Sequence, residues 1–255
     1  MSLFHRNKTT PAADTPAPSS TGSSAGVSFE KVKAEAPGLV NLYKTAAVKL
    51  DEHGLSGQRA AVYLVLDHSG SMHRYYSDGA VQRLSEQVLA LSANLDDDGI
   101  VPTVFFDWKA HPVVEIGLDD YQGRIEREHR ACGKFGTTNY AAAIEAVIKH
   151  YKKSKAKDPA FVVFQTDGEP DSRPAAEHAI RQASKLPIFW QFVGFGHHFD
   201  FLKELDTMTG RQIDNAGFFP VGDDPADVPD DVLFDRLMCE FPQWLTEARA
   251  QRLIR

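Results

Sequence analysis

From residue 29 onward the chain alternates between short, wholly apolar runs and longer stretches whose apolar residues recur at helical spacing. Residues 60–66, AAVYLVL, are continuously apolar and rich in β-formers, which predicts a central strand buried on both faces. The apolar run at 161–164 predicts another buried strand over 161–165, and residues 187–194, 102–106, 113–116 and 218–221 predict further strands. A turn is expected near residues 109–112. Between the strands, Val81, Leu84, Val88, Leu91 and Leu95 mark one face of a helix over residues 79–95. Helices are also predicted over 31–51, with a break at Pro37, and over 120–128, 140–151, 173–184 and 199–206. Asn139 or Thr138 would cap the helix at 140–151. One closing helix is expected over 230–252. Strand and helix alternate throughout, which implies an α/β fold: a doubly wound, mainly parallel central sheet with helices on both faces.

The first segment has a different character. Residues 9–28 consist largely of Ser, Thr, Ala, Pro and Gly and carry almost no large apolar side chains. Such a stretch buries too little surface to offset its ordering entropy. Residues 1–28 are therefore expected to be a disordered N-terminal tail, and residues 29–255 a single domain with an N-terminal helical extension and a C-terminal helix. Composition agrees with an ordinary globular body: 42% apolar, 25% charged and 10% aromatic. The formal net charge of -7 argues against a nucleic-acid binder, which needs a basic face, and against an anionic membrane surface. The start, MSLFHRNKTT, lacks the apolar stretch of a signal peptide, and no apolar run is long enough to span a bilayer. Cys132 and Cys239 make no disulfide framework and read as reduced thiols. These features predict a cytoplasmic location without membrane insertion.

Candidate chemistry lies where the predicted strands end, since ligands of open α/β sheets bind beyond the strands' carboxyl ends. The first strand is followed by Asp67-His68-Ser69-Gly70-Ser71-Met72, and the strand at 161–165 by Thr166-Asp167-Gly168-Glu169. Gly136-Thr137-Thr138-Asn139 precedes the helix at 140–151. The three loops are expected to converge, bringing carboxylates and hydroxyls together. That donor set suits a hard divalent cation such as Mg²⁺. Asp67, Ser69 and Ser71 alternate along the chain and can face one side of an extended turn, with Gly70 allowing a tight bend. Neutral hydroxyls offset the charge of an ion only in part, leaving it receptive to an anionic ligand. The bland alternatives are a turn cap for Asp67 and helix caps for Ser69, Ser71 and Thr138.

DHSGS matches the DxSxS motif of von Willebrand factor A (vWA) domains. Thr138 in GTTNYAAAI matches that family's metal-site threonine, and Asp167 in FQTDGEPDS its metal-site aspartate. The three parts occur in order, so residues 60–219 resemble a vWA domain. APGLVNLYKTAAVKL, YLVLDHSGSM and VGFG are more closely similar to the A domain of bacterial tellurium-resistance TerF-type proteins, to which the A domain of copines is related. The resemblance implies a metal-ion-dependent adhesion site. In it Ser69, Ser71 and Thr138 bind the cation directly, and Asp67 and Asp167 bind directly or through water. A partner protein completes the shell with a Glu or Asp carboxylate. The implied cofactor is a divalent cation, Mg²⁺ first, with Mn²⁺ and Ca²⁺ as alternatives. The implied setting is a bacterial stress-response or tellurium-resistance-like assembly. Thr137 is the alternative to Thr138 one residue away.

An enzyme of a different class, a metal-dependent phosphoester hydrolase or phosphotransferase using Asp67 and Asp167, is the rival reading. It lacks support from a GxxxxGK[ST] phosphate loop, a GxSxG elbow or a DxDx motif, none of which occurs at the strand ends. A non-enzymatic binding module is expected. Arg74, Tyr75 and Tyr76 follow the DHSGS loop and are expected to line the partner surface, because Tyr and Arg dominate interface hot spots. His68 and His73 read as half-exposed loop residues, and Glu169 and Asp171 as solvated neighbours of the site. GFGHHF at 194–199 begins like a dinucleotide fingerprint, but Phe199 stands where the last glycine belongs. The acidic run at 222–231 reads as a solvated loop.

Overall fold

The computed structural model describes residues 26–255. All but the last three positions of the expected tail, residues 1–28, lie outside the described residues. Those three already belong to the packed body: Val27 is buried, its N–H donates to the Ala93 carbonyl at 2.7 Å, and the Ser28 hydroxyl accepts from Lys31 N–H to cap the first helix.

Helix α1 (Phe29–Glu35) ends in a 3-10 turn at Pro37–Leu39, and α2 (Val40–Glu52) follows. Strand β1 (Ala61–Asp67) leads through a 3-10 turn at Gly70–Met72 into α3 (His73–Ser77) and α4 (Ala80–Leu95). Next come β2 (Ile100–Phe106), β3 (Val114–Gly117), α5 (Arg124–Cys132), α6 (Tyr140–Ser154), β4 (Ala160–Thr166) and α7 (Arg173–Ala183). The chain closes with β5 (Ile188–Phe195), α8 (Asp200–Asp206), β6 (Ala216–Gly222), α9 (Asp230–Met238) and α10 (Phe241–Ala250).

Every predicted strand is present. Two helices depart from expectation. The helix predicted over 120–128 starts four residues later, because Gly123 takes a left-handed conformation (φ 64°) and Ile125 is the sole buried residue that could have signalled its face. The single closing helix is two, α9 and α10, with Pro242 in the first turn of α10, where its missing N–H costs nothing.

The six strands form one sheet in the order β3-β2-β1-β4-β5-β6. All neighbours are parallel except β2 and β3, which return antiparallel through the turn around Trp108. From β1 the chain winds outward one way to β3 and the other way from β4 to β6. The reversal lies between β1 and β4, and it opens a crevice at their carboxyl ends. Alternate strand residues serve opposite faces. Val62, Leu64, Leu66, Phe161 and Val163 face one core, covered by α1 to α5, α9 and α10. Tyr63, Val65, Val162, Phe164 and Phe192 face the other, covered by α6, α7 and α8. Each large side chain buried in these layers contributes about 1.5–3 kcal/mol. No helix among the described residues is long and apolar enough to cross a membrane.

Phe192 is fully buried, with its ring centroid 4.9 Å from Phe164 and 6.4 Å from Tyr140. Phe192→Ala is predicted to lower unfolding stability by about 3–5 kcal/mol in a urea titration with unchanged m-value. A loss below about 1 kcal/mol would contradict this packing.

Candidate metal centre

β1 and β4 are in register with Leu66 opposite Gln165, so Asp67 and Thr166 finish side by side at the sheet's switch point. Asp67 is completely buried. Its Oδ2 accepts from the Thr166 hydroxyl at 2.6 Å and its Oδ1 from Ser69 N–H at 2.8 Å. The 3-10 turn after Ser69 brings the Ser69 and Ser71 hydroxyl oxygens to 3.2 Å of each other. The Ser71 hydroxyl donates to Asp167 Oδ1 at 2.8 Å. Four of the five predicted residues therefore form one oxygen array, buried at Asp67 and Ser69 and opening to solvent at Ser71.

The fifth comes from the loop before α6. Gly136 N–H donates to the His68 carbonyl, and Gly70 N–H to the Gly136 carbonyl, each at 3.1 Å, lacing this loop to the first. A Cβ on Gly136 would stand 2.7 Å from Asp107 Cβ, so only glycine allows so close a crossing. The two threonines are distinguished here. The Thr137 hydroxyl donates to Asp171 Oδ2 at 2.6 Å, whereas the half-buried Thr138 hydroxyl makes no hydrogen bond among the described residues. Asn139 caps α6 by accepting from Ala142 N–H at 3.1 Å.

Electrostatics follow from burial. Desolvation pushes the Asp67 carboxyl up to about 7, against the opposing pull of the Thr166 hydrogen bond. Burial raises Asp167 as well. Two carboxyls raised by burial and the hydroxyls joined to them at Ser69 and Ser71 form an oxygen-rich donor set, with no cationic side chain among the described residues hydrogen-bonded to either carboxyl. They fit a hard divalent ion.

Other expectations are corrected. Tyr75 and Tyr76 are buried and do not line a surface: Tyr75 packs edge-on against Phe195, and the Tyr76 hydroxyl donates to the Asp67 carbonyl at 2.9 Å. Arg74 is exposed and pairs with Asp224. His68 is fully buried, where burial lowers its imidazole to about 4, while His73 is exposed. Glu169 is not a free solvated carboxylate; it accepts from Phe201 N–H at 3.0 Å and from Arg173 at 2.8 Å. Gly70 has an ordinary φ, and a Cβ there would meet nothing within 4 Å, so the tight contact belongs to Gly136 instead. In GFGHHF, the Phe199 ring fills the space a Cβ on Gly194 would need, with its Cζ at 2.6 Å, so the stretch packs core where a fingerprint would bind phosphate.

Sequence reasoning passed over two residues of the turn after β2. Asp107, the first residue past that strand, is buried, with its Oδ2 2.9 Å from His111 Nε2. The strand-end rule that singled out Asp67 and Asp167 would have found it. Trp108 is 61% exposed, and its carbonyl accepts from the Asn139 side chain at 3.1 Å. It stands at the rim beside the Thr138 loop, on a turn whose aromatic residue carried no periodic signal.

Comparison with known proteins yields a family model described as vWA-TerF-like, a vWA found in the TerF C terminus, matching residues 59–254. The uncharacterized protein YcbR of Bacillus subtilis (strain 168) is 35% identical over 217 residues, which cover 83% of this chain and 88% of that protein. Among solved structures, the manganese-loaded Plasmodium vivax TRAP protein superposes with a TM-score of 0.50 at 20% identity, covering 69% of this chain and 72% of that chain. Proximal thread matrix protein 1 of the mussel byssus superposes with a TM-score of 0.52 at 14% identity, over 71% of this chain and 47% of that chain.

A buried carboxyl raised in the folded state stabilises it below the unfolded value and loses that contribution as pH rises through the folded value. For Asp67 the window runs from 3.8 to about 7. His68, lowered to about 4, acts in the opposite sense over much of the same range, so the effect is read as a difference from Asp67→Asn. In chelator, the stability of wild type minus that of Asp67→Asn is predicted to fall from about pH 4 to about pH 7 and to level off above that. The increment from added Mg²⁺ is predicted to grow from about pH 6 to about pH 8, as the competing proton leaves. Urea titrations at each pH check both trends, and a flat difference would contradict the burial-driven shift.

Proposed function

The chain belongs to the vWA family, in its TerF-like branch, and on that premise we propose that it is a metal-ion-dependent protein-binding module. The vWA fold is often a metal-dependent protein-interaction module, and one solved neighbour of this fold is manganese-loaded. The observation that carries the reading is the buried Asp67 carboxyl at the switch point, continuous with the hydroxyls of Ser69 and Ser71 and with Asp167. In this reading Asp67, Ser69, Ser71, Thr138 and Asp167 hold one divalent cation, with Mg²⁺ favoured by the hydroxyl-rich donor set. When bound, the ion offers an open coordination position to an acidic side chain of a partner.

The chain's own residues do the rest. Thr166 orients Asp67 through its 2.6 Å hydrogen bond. Tyr76 fixes the loop backbone from below through the Asp67 carbonyl. The Thr137–Asp171 and Asp171–Thr138 hydrogen bonds steady the loop that presents the Thr138 hydroxyl. Trp108 supplies the apolar contact beside the crevice that a partner segment would cover, taking the place expected for Tyr75 and Tyr76. A phosphoester hydrolase on the same carboxylates would need a cationic clamp for phosphate. Arg74 and Arg173, which flank the loop ends, are engaged by Asp78 and Asp224 and by Glu169 and Glu204. The binding reading is favoured for that reason. A cytoplasmic stress-response or tellurium-resistance-like assembly is the setting we propose for the partner.

Chelator-stripped protein titrated with Mg²⁺, Mn²⁺ and Ca²⁺ is predicted to gain about 2.7 kcal/mol at a hundredfold excess of the preferred ion over its dissociation constant. Asp67→Ala and Thr138→Ala, folded by circular dichroism, are expected to lose that gain. A displayed peptide library selected in the same ion should enrich Asp- or Glu-bearing peptides released by chelator. Trp108→Ala should weaken such peptides by about 1–3 kcal/mol while leaving ion binding intact. Peptides that bind equally well without the ion would overturn the module.

A further inference from the structure

A second cluster of ligand-type side chains adjoins this crevice. His68, Asp107 and His111 place one donor atom each within 4.8 Å of one another. His68 Nδ1 lies 4.0 Å from Asp107 Oδ2, and His111 Nε2 lies 2.9 Å from the same oxygen. Three neighbouring backbone contacts build the arrangement. His68 N–H donates to the Phe106 carbonyl at 2.7 Å, His111 N–H to the Phe105 carbonyl at 2.8 Å, and Asp107 N–H to the Lys109 carbonyl at 2.9 Å. The β2–β3 turn is thereby folded so that Asp107 and His111 face the residue after β1.

The telling atom is His68 Nδ1. It is buried and has no hydrogen-bond partner. The other ring nitrogen, Nε2, is 3.0 Å from His129 Nδ1, and the ring is stacked on Phe135 at 4.4 Å, so its orientation is fixed. If Nε2 carries the proton and donates to His129, then Nδ1 presents a bare lone pair toward a carboxylate. If Nδ1 carries the proton, its N–H is buried 4.0 Å from the nearest acceptor charge, too far for a hydrogen bond. A cation between Nδ1 and Asp107 satisfies both sides at once, and the first tautomer is then the one a metal-bound imidazole adopts, with its outer N–H given to a second residue.

We propose that His68 Nδ1, Asp107 Oδ2 and His111 Nε2 form a separate site for a zinc-class transition ion beside the Asp67 crevice. Two imidazoles and one carboxylate are the ligand types of a three-residue zinc site with an open fourth position. Ligand atoms around a tetrahedral ion at about 2.0–2.1 Å stand about 3.3 Å apart. The observed 2.9 and 4.0 Å bracket that value, and the three donor atoms all lie within 4.8 Å of one another. Mg²⁺ and Ca²⁺, which take oxygen ligands, are not matched by this set. A cleft lined in part by His111, Glu128 and Cys132 adjoins the cluster on its His111 side.

The full chain is stripped of metal, saturated with Mg²⁺ and titrated with Zn²⁺ by calorimetry, with bound zinc measured after gel filtration. One zinc per chain is expected in wild type and in Ser71→Ala, and none in His111→Gln. In wild type, Co²⁺ in place of Zn²⁺ should give the intense visible bands of a four-coordinate N/O site without a thiolate charge-transfer band. That spectrum needs no variant, so it decides the matter even if His111→Gln fails to fold. No zinc on the Mg²⁺-saturated protein, zinc retained in folded His111→Gln, zinc lost in Ser71→Ala, or a weak six-coordinate Co²⁺ spectrum would each overturn the proposal. Loss of Mg²⁺ binding in Ser71→Ala, with zinc retained, separates this site from the adhesion-type one.

Discussion

A carboxyl group with no exposed surface sits at the one place where the sheet reverses direction, and the surrounding structure is arranged about it. Taking Asp67 out of water penalises its charged form, which is why its proton is held to about 7. Hydrogen bonds from Thr166 and Ser69 recover part of that cost and fix the two oxygens. They come from β4 and from the loop after β1, so the same bonds that satisfy Asp67 join the two central strands' ends. A carboxyl kept buried and only partly compensated is costly unless a cation completes it, and the hydroxyls of Ser69, Ser71 and Thr138 lie at the loops that open toward it.

The loops depend on one another through the backbone. His68 sits between Asp67 and Ser69; its N–H is bonded to the Phe106 carbonyl and its carbonyl to Gly136 N–H. Asn139 N–H in turn reaches the Asp107 carbonyl at 2.8 Å. The ends of β1 and β2 and the start of α6 are thus stitched into one unit, with Gly136 at the crossing. Any ion held by His68 and Asp107 shares this backbone with the Asp67 array, so the position of one set of ligands is bound to that of the other. Tyr76 and Phe135 pack against the same histidine and close the floor.

Much of this was legible in the residues. Apolar runs such as 60–66 and 161–164 announced the central strands, because a strand buried on both faces is predominantly apolar. The strand-end rule then found Asp67, Ser69, Ser71 and Asp167, which the fold brings together. Thr138 was preferred to Thr137 from its place directly before Asn139, and the structure adds that the Thr137 hydroxyl is engaged by Asp171. Burial of short-range neighbours was the weakest inference. Tyr75, Tyr76 and His68 follow a polar loop and read as surface, yet the short helix α3 turns both tyrosines inward. Cys239 and Glu240 interrupt the closing helix without a glycine or an internal proline to mark the break, and Pro242 marks the restart only after the fact. Asp107 and His111 come together with His68 across two strands, a pairing that no local pattern encodes.

The most direct test is anomalous X-ray scattering from crystals of the full chain grown with Mn²⁺, a stand-in for the proposed Mg²⁺. The account predicts a manganese peak among Asp67, Ser69, Ser71, Thr138 and Asp167 that is absent from crystals of Asp67→Asn. No peak at the switch point, or an equal peak there in Asp67→Asn, would contradict it.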